Sequence, residues 1–145
     1  MLSRYSTTEM ANIWSIENKY SIWLEIETLA CEAMEKHGKV PKGTSKEIRA
    51  KSNFDVNKIL EIEKETKHDV IAFLTNVAQY VGESSKYIHQ GMTSSDVLDT
   101  CLSVQLKHSA SILIKNLKVL LNSLKKKALD NKMLITIGRS HGIHA

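Results

Sequence analysis

From Ser94 to about Asn131 the chain contains neither glycine nor proline. That stretch predicts a single helix about 57 Å long at 1.5 Å rise per residue. Thr93, Ser94, Ser95 and Asp96 supply candidate N-caps for it. Leu98, Leu102, Leu106, Leu113, Leu117, Leu120 and Leu124 form one stripe, and Val97, Val104, Ile112, Ile114, Val119 and Leu121 widen it beyond a coiled-coil seam. A helix this apolar around its circumference needs neighbours on more than one side. No later helical segment follows within these 145 residues. The expected partners are therefore further chain beyond residue 145, other subunits, or both.

The rest of the chain reads as shorter helices, so the expected fold class is all-α. Ser6-Thr7-Thr8-Glu9 has the form of a capping box opening a helix through about Ser15. A second helix is expected from Glu17 to Lys36, with Tyr20, Trp23, Leu24, Ile26, Leu29, Ala30, Ala33 and Met34 as its apolar stripe. Gly38 and Pro41 punctuate its end. Thr44-Ser45-Lys46-Glu47 suggests another capping box, opening a helix to about Lys51, and Asp55 is placed to cap a helix carrying Val56, Ile59, Leu60 and Ile62. A further helix is expected from Asp69 to Val81, ending at Gly82. One proline and six glycines are too few for the many turns of an all-β domain.

The net charge of +4 is mild and its lysines are scattered. Lys125-Lys126-Lys127 reads as a solvated helix end, where cations are favoured, and no nucleic-acid partner is expected. Cys31 and Cys101 lack CxxC spacing and read as buried reduced thiols, which fits the cytoplasm. The N-terminus has no apolar run of a signal peptide and no segment is apolar enough to span a membrane, so no membrane partner is expected.

Three polar clusters stand out. Lys67-His68-Asp69 precedes a helix; it can present a cation and an imidazole to an anion, or be a plain cap at Asp69 with His68 exposed. His89-Gln90-Gly91-Met92-Thr93-Ser94-Ser95-Asp96 brings hydroxyls and N–H groups to the start of the long helix, which suits a carboxylate or phosphate, or again simple capping. Gly138-Arg139-Ser140-His141-Gly142-Ile143-His144-Ala145 joins a guanidinium, a hydroxyl and two imidazoles. Arginine can hold an anion bidentately, and histidine can act as general acid or base. His141 and His144 have a metal-ligand spacing, but no Cys, Asp or Glu nearby completes a set, so no metal is expected. A cluster this polar at the very end of a chain is expected to belong to a longer protein, because terminal residues are usually poorly ordered. His37, His108, Trp14 and Trp23 are assigned to structure.

In this order, these clusters resemble the adenylosuccinate lyases of the fumarase/aspartase superfamily, over essentially all 145 residues. Arg4-Tyr5-Ser6 is similar to the family's nucleotide-contacting motif. Phe54-Asp55-Val56-Asn57, Glu61-Ile62-Glu63 and Lys67-His68-Asp69-Val70 resemble its first histidine region. His89 to Val97 resembles its Thr-Ser substrate loop, and Gly138 to Ala145 its second histidine signature, with Ser140 where Thr is usual. The resemblance implies an N-terminal helical domain over residues 1–92. Residues 93–145 would then be the start of a central helical bundle, comprising a long helix at about 94–131 and the second histidine loop. It also implies a homotetramer with active sites shared between subunits, purine-nucleotide substrates and no cofactor.

The implied reaction is β-elimination of fumarate, giving AMP from adenylosuccinate and the free amide from the succinylated imidazole-carboxamide ribotide. By the same resemblance, His141 is the general acid and His68 a second imidazole that orients substrate or assists proton movement. Thr93 and Ser94 hold a succinyl carboxylate, and Lys67 and Asp69 line the substrate site. Arg4 and Tyr5 contact the nucleotide, and Arg139 and Ser140 flank the acid. The base, a serine on a Gly-Ser-rich loop, is expected beyond residue 145, which would leave the segment alone inactive. The alternatives are another lyase of the superfamily, such as one acting on argininosuccinate, or a non-catalytic helical oligomerisation module.

Overall fold

The computed structural model describes residues 3–144. Met1 and Leu2, which open the first expected segment, and Ala145, which ends the second and its last motif, lie outside the described residues. The helices are α1 (Thr8–Ile13), α2 (Ile16–Lys36), α3 (Thr44–Lys51), α4 (Val56–Thr66), α5 (Asp69–Val81) and α6 (Ser94–Asp130). Two 3-10 turns, Ser3–Tyr5 and Gly82–Tyr87, and a hairpin of β1 (Arg139–Ser140) and β2 (Ile143–His144) complete the order. The fold is all-α apart from that hairpin. It divides into two compact units, the first ending at Ser109 and the second beginning at Ala110. The first turns of α6 thus pack with the first unit, beyond the 92/93 division drawn from the sequence.

Caps explain most helix starts in the first unit. The Thr7 hydroxyl accepts the Met10 N–H at 3.3 Å, one residue later than a box at Ser6 requires. Ser15 caps α2 through Asn18 N–H at 3.1 Å, and Asp55 caps α4 through Lys58 N–H at 3.0 Å. The capping box expected at Thr44 does not form. Gly43 is the N-cap, at φ 95°, and Thr44 is the first helical residue. The cap comes from α2 instead: Gly43 N–H and Ser45 N–H donate to the two Glu35 carboxylate oxygens at 2.7 and 2.8 Å. Those backbone hydrogen bonds hold the Glu35 carboxyl below its ordinary range.

The core of this unit is aromatic. Tyr20 of α2 stacks on Phe73 of α5 with ring centroids 5.6 Å apart, and Trp23 stands edge-on to both at 5.2 and 5.4 Å. Ile48, Ile59, Val70, Val77, Val81, Val97 and Cys101 close around them. On α2 the buried residues are Tyr20, Trp23, Glu27, Thr28 and Cys31. Leu29, expected in the stripe, is exposed, because the buried face of α2 runs through Tyr20, Trp23, Glu27, Thr28 and Cys31. Trp14 is structural, as expected: its indole N–H donates to Ser109 Oγ at 3.1 Å. Gln105 and Asn18 side-chain amides both donate to the Ile13 carbonyl at 2.8 Å, satisfying the end of α1.

In the second unit, Leu113, Leu117, Val119, Leu120, Leu121, Leu124 and Leu129 of α6 are all exposed. Replacing Phe73 by Ala removes the ring that touches Tyr20, Trp23 and Phe54. Urea denaturation should show a loss of about 3–5 kcal/mol.

Candidate active site

Lys67-His68-Asp69 forms the turn between α4 and α5. Lys67 ends α4 in the left-handed region at φ 53°. His68, not Asp69, is the N-cap of α5: the Ile71 N–H donates to its Nδ1 at 3.4 Å. His68 is exposed, as the plain-cap reading expects, but the expectation that Asp69 is the cap is corrected by this bond. Asp69 is the first helical residue, accepts the Val70 N–H at 2.8 Å, and lies 3.7 Å from His68 Nδ1.

The second cluster meets the first. Ser94 Oγ lies 3.4 Å from His68 Nε2. Thr93 N–H donates to Asp96 Oδ2 at 2.8 Å, and Asp96 N–H returns to the Thr93 carbonyl at 3.0 Å. This reciprocal pair closes the first turn of α6, so the Thr93 amide is used for capping and is not available to a ligand. Arg4 and Tyr5 lie in the N-terminal 3-10 turn, where the Arg4 guanidinium sits 4.8 Å over the exposed Tyr5 ring.

His89 was noted as the start of its motif but given no role from sequence. Its Nδ1 is 2.6 Å from Oε1 of Glu27. Glu27 is only 1% exposed, and its Oε2 makes no hydrogen bond among the described residues. Burial pushes the Glu27 carboxyl up, opposed by the His89 hydrogen bond. The signal for Glu27 was present in the sequence. It stands four residues after Trp23 and four before Cys31, on a face otherwise apolar, and a charge there needs a partner.

Arg139, Ser140 and His141 belong to the second unit. Arg139 pairs with His144 and Ser140 with Ile143 across the hairpin. His141 and Gly142 form its two-residue turn at φ 51° and 79°. Positive φ at both central positions is the type I′ geometry that matches strand twist. His141 is thereby presented at the apex. The sequence predicts only a loop here, since a two-residue strand carries no alternation to detect.

Backbone strain follows the three clusters. Among the described residues, those other than glycine with positive φ are Lys67, His89 and His141, one in each cluster. A non-glycine residue in this region costs roughly 1–2 kcal/mol, and such strain concentrates at functional sites. Cys31 and Cys101 do not join the site: both are buried and free, and burial pushes both thiols up, away from reactive thiolate. Among the described residues no group of three or more His, Cys, Asp or Glu is placed to hold a metal ion.

The model of a family described as "Lyase" matches residues 3–145. The chain is 48% identical over 145 residues to the adenylosuccinate lyase of Bacillus subtilis strain 168, covering 100% of this chain and 34% of that protein. It is 46% identical over the same 145 residues to the adenylosuccinate lyase of Synechocystis, with the same coverage. It therefore spans about a third of the length of the curated relatives it matches. Among solved structures, the 3-carboxy-cis,cis-muconate lactonizing enzyme of Pseudomonas putida superposes with a TM-score of 0.89 at 23% identity, over 97% of this chain and 34% of that one. The fumarate lyase of Mesorhizobium sp. BNC1 gives 0.86 at 20% identity, over 94% and 33%. At that identity these two show the fold alone.

Two outcomes follow. Lys67→Gly should raise unfolding free energy by about 0.5–1 kcal/mol, because glycine adopts the left-handed turn without the side-chain clash but loses more freedom on folding; urea midpoints measure this. Glu27 has a raised folded-state value, so its contribution to stability is full below its unfolded value near 4.5 and is lost as pH rises through the folded value. Parent and Glu27→Gln midpoints compared at several pH values should therefore show the parent falling behind as pH rises above that point.

Proposed function

This chain belongs to the lyase family matched over residues 3–145, and from that premise we propose that it is the N-terminal third of an adenylosuccinate lyase. The observation that carries the reading is 48% identity along all 145 residues to a relative of that name. The geometry supports it, since His68 and Ser94, from clusters 26 residues apart in sequence, meet in one place.

The proposed enzyme is a carbon–nitrogen lyase. It eliminates fumarate from adenylosuccinate to leave AMP, and from the succinylaminoimidazole-carboxamide ribotide to leave its amide, serving AMP and IMP biosynthesis. The chemistry makes three demands. A base takes a proton from the carbon beside a carboxylate, the resulting aci-carboxylate dianion is stabilised by oriented donors, and an acid protonates the departing nitrogen as the C–N bond breaks.

His141, at the apex of an exposed hairpin turn, is our general acid. His68 orients substrate or assists proton movement, with its ring held by the α5 cap. Thr93 and Ser94, at the start of α6, hold a succinyl carboxylate, where the helix N-terminus favours negative charge. Lys67 and Asp69 line the same site, Arg139 and Ser140 flank the acid, and Arg4 and Tyr5 contact the nucleotide. The base is a serine outside these residues. Residues 1–92 are proposed as the N-terminal domain and residues 93–145 as the start of a helical bundle. The exposed apolar side of α6 supports a homotetramer with shared sites. The proposed place of action is the cytoplasm.

The test is fumarate release from adenylosuccinate by the full-length protein and by its His141→Ala variant. We expect turnover in the parent and a fall of about 10²–10⁴-fold in kcat in the variant. Turnover of a different succinyl adduct, with none of adenylosuccinate, would overturn the substrate assignment. An unchanged kcat in the variant would overturn the assignment of the acid.

A further inference from the structure

The tie between Glu27 and His89 is unlike the other ion pairs among the described residues. Lys36–Glu32, Arg49–Glu25, Lys51–Glu47, Lys58–Glu61 and the His68–Asp69 contact all lie on the surface, where such pairs do little. Glu27 is buried inside the first unit and His89 reaches in to it, with side-chain exposures of 1% and 17%. A carboxylate placed there is a poor way to gain stability, because its desolvation is only partly offset by one hydrogen bond.

What the tie does is local. His89 and Gly91 both adopt positive φ, 63° and 69°, within the connection between the Gly82–Tyr87 turn and α6. Gly91 needs no help to do so, but His89 does. Ile88 and Met92 of this connection pack half-buried against the core, but few hydrogen bonds fix its backbone. Its backbone bonds are Ile88 N–H to the Ser85 carbonyl at 3.0 Å and Met92 N–H to the His89 carbonyl at 3.5 Å. Gln90 adds one bond, from its side chain to the Lys86 carbonyl at 3.0 Å. Thr93 and Ser94 follow directly.

We propose that Glu27 is a positioning residue: from inside α2 it anchors the His89 ring, holds the left-handed bend at that residue, and so sets where the Thr93 and Ser94 hydroxyls stand. The hydrogen bond also orders the imidazole. With Nδ1 engaged by the carboxylate, Nε2 is the ring nitrogen left for any other partner. Thr93 and Ser94 are taken as carboxylate-binding groups on the reading above, and the kinetic arm of the test rests on that reading, while the structural arm does not.

The test compares the full-length parent, Glu27→Leu and Glu27→Gln. Gln keeps an oxygen that can accept from Nδ1–H, whereas Leu fills the space and removes the acceptor. Hydrogen exchange reads the bend directly. The amides of residues 88–93 should exchange about tenfold faster in Glu27→Leu and within about threefold of the parent in Glu27→Gln, with the α5 core amides unchanged in both. In steady-state assays with adenylosuccinate, Glu27→Leu should raise KM about tenfold with kcat within about threefold, the pattern of lost uniform binding, and Glu27→Gln should largely restore KM. Parent-like exchange in Glu27→Leu would overturn the proposal, as would a fall in kcat alone. Should Glu27→Leu not fold, His89→Asn cuts the same tie from the loop side with a residue that tolerates positive φ, and its exchange at 88–93 decides. A parent that releases no fumarate would count against the lyase reading, and the exchange result would still stand for or against the anchor.

Discussion

The contact between the Tyr20 and Phe73 rings, closed by Trp23, is the joint on which the first unit depends. It locks α2 to α5 and so fixes two elements that each carry part of the candidate site. The start of α5 is capped by His68. Glu27 lies one helical turn beyond Trp23 on the same buried face of α2 and reaches His89. One apolar joint therefore sets the positions of two imidazoles that lie far apart in sequence. Asn76 extends the arrangement: it is buried on α5, and its side-chain oxygen accepts the Asp55 N–H at 2.9 Å, fixing the residue that caps α4.

Much of this was legible in the sequence, for local reasons. Helices α2, α5 and α6 announce themselves through apolar spacing and through glycines or hydroxyl residues at their ends. The interactions that escaped are those between elements distant in the chain. Glu35 caps α3 from eight residues before Gly43, displacing the local box that Thr44 suggested. Leu29 has the spacing of a core residue, yet the buried face of α2 excludes it. The His68–Ser94 contact depends on the packing of α5 beside the start of α6, which no local pattern encodes. Lys67, Asp69, Thr93, Ser94, Arg139, Ser140 and His141 stand out in the sequence as polar clusters, whereas Arg4 and Tyr5 stand out by motif resemblance alone. The structure adds the element on which each stands.

Local conflict marks the same three clusters independently of any motif. Lys67 occupies a helix-end position that commonly falls to glycine, and His89 and His141 adopt left-handed backbone without being glycine. Glu27 is a carboxylate in an apolar interior. Left-handed backbone outside glycine and the buried Glu27 carboxylate thus gather in and beneath the three polar clusters, and conflict of this kind is typical of functional sites.

The cap on α5 also fixes the chemistry of one ring. His68 Nδ1 can accept the Ile71 N–H only while it keeps its lone pair, so the resting proton sits on Nε2 and points at the Ser94 oxygen 3.4 Å away. The imidazole is therefore gripped at both nitrogens, by a helix cap on one side and a loop hydroxyl on the other, so its orientation is set jointly by α5 and the start of α6.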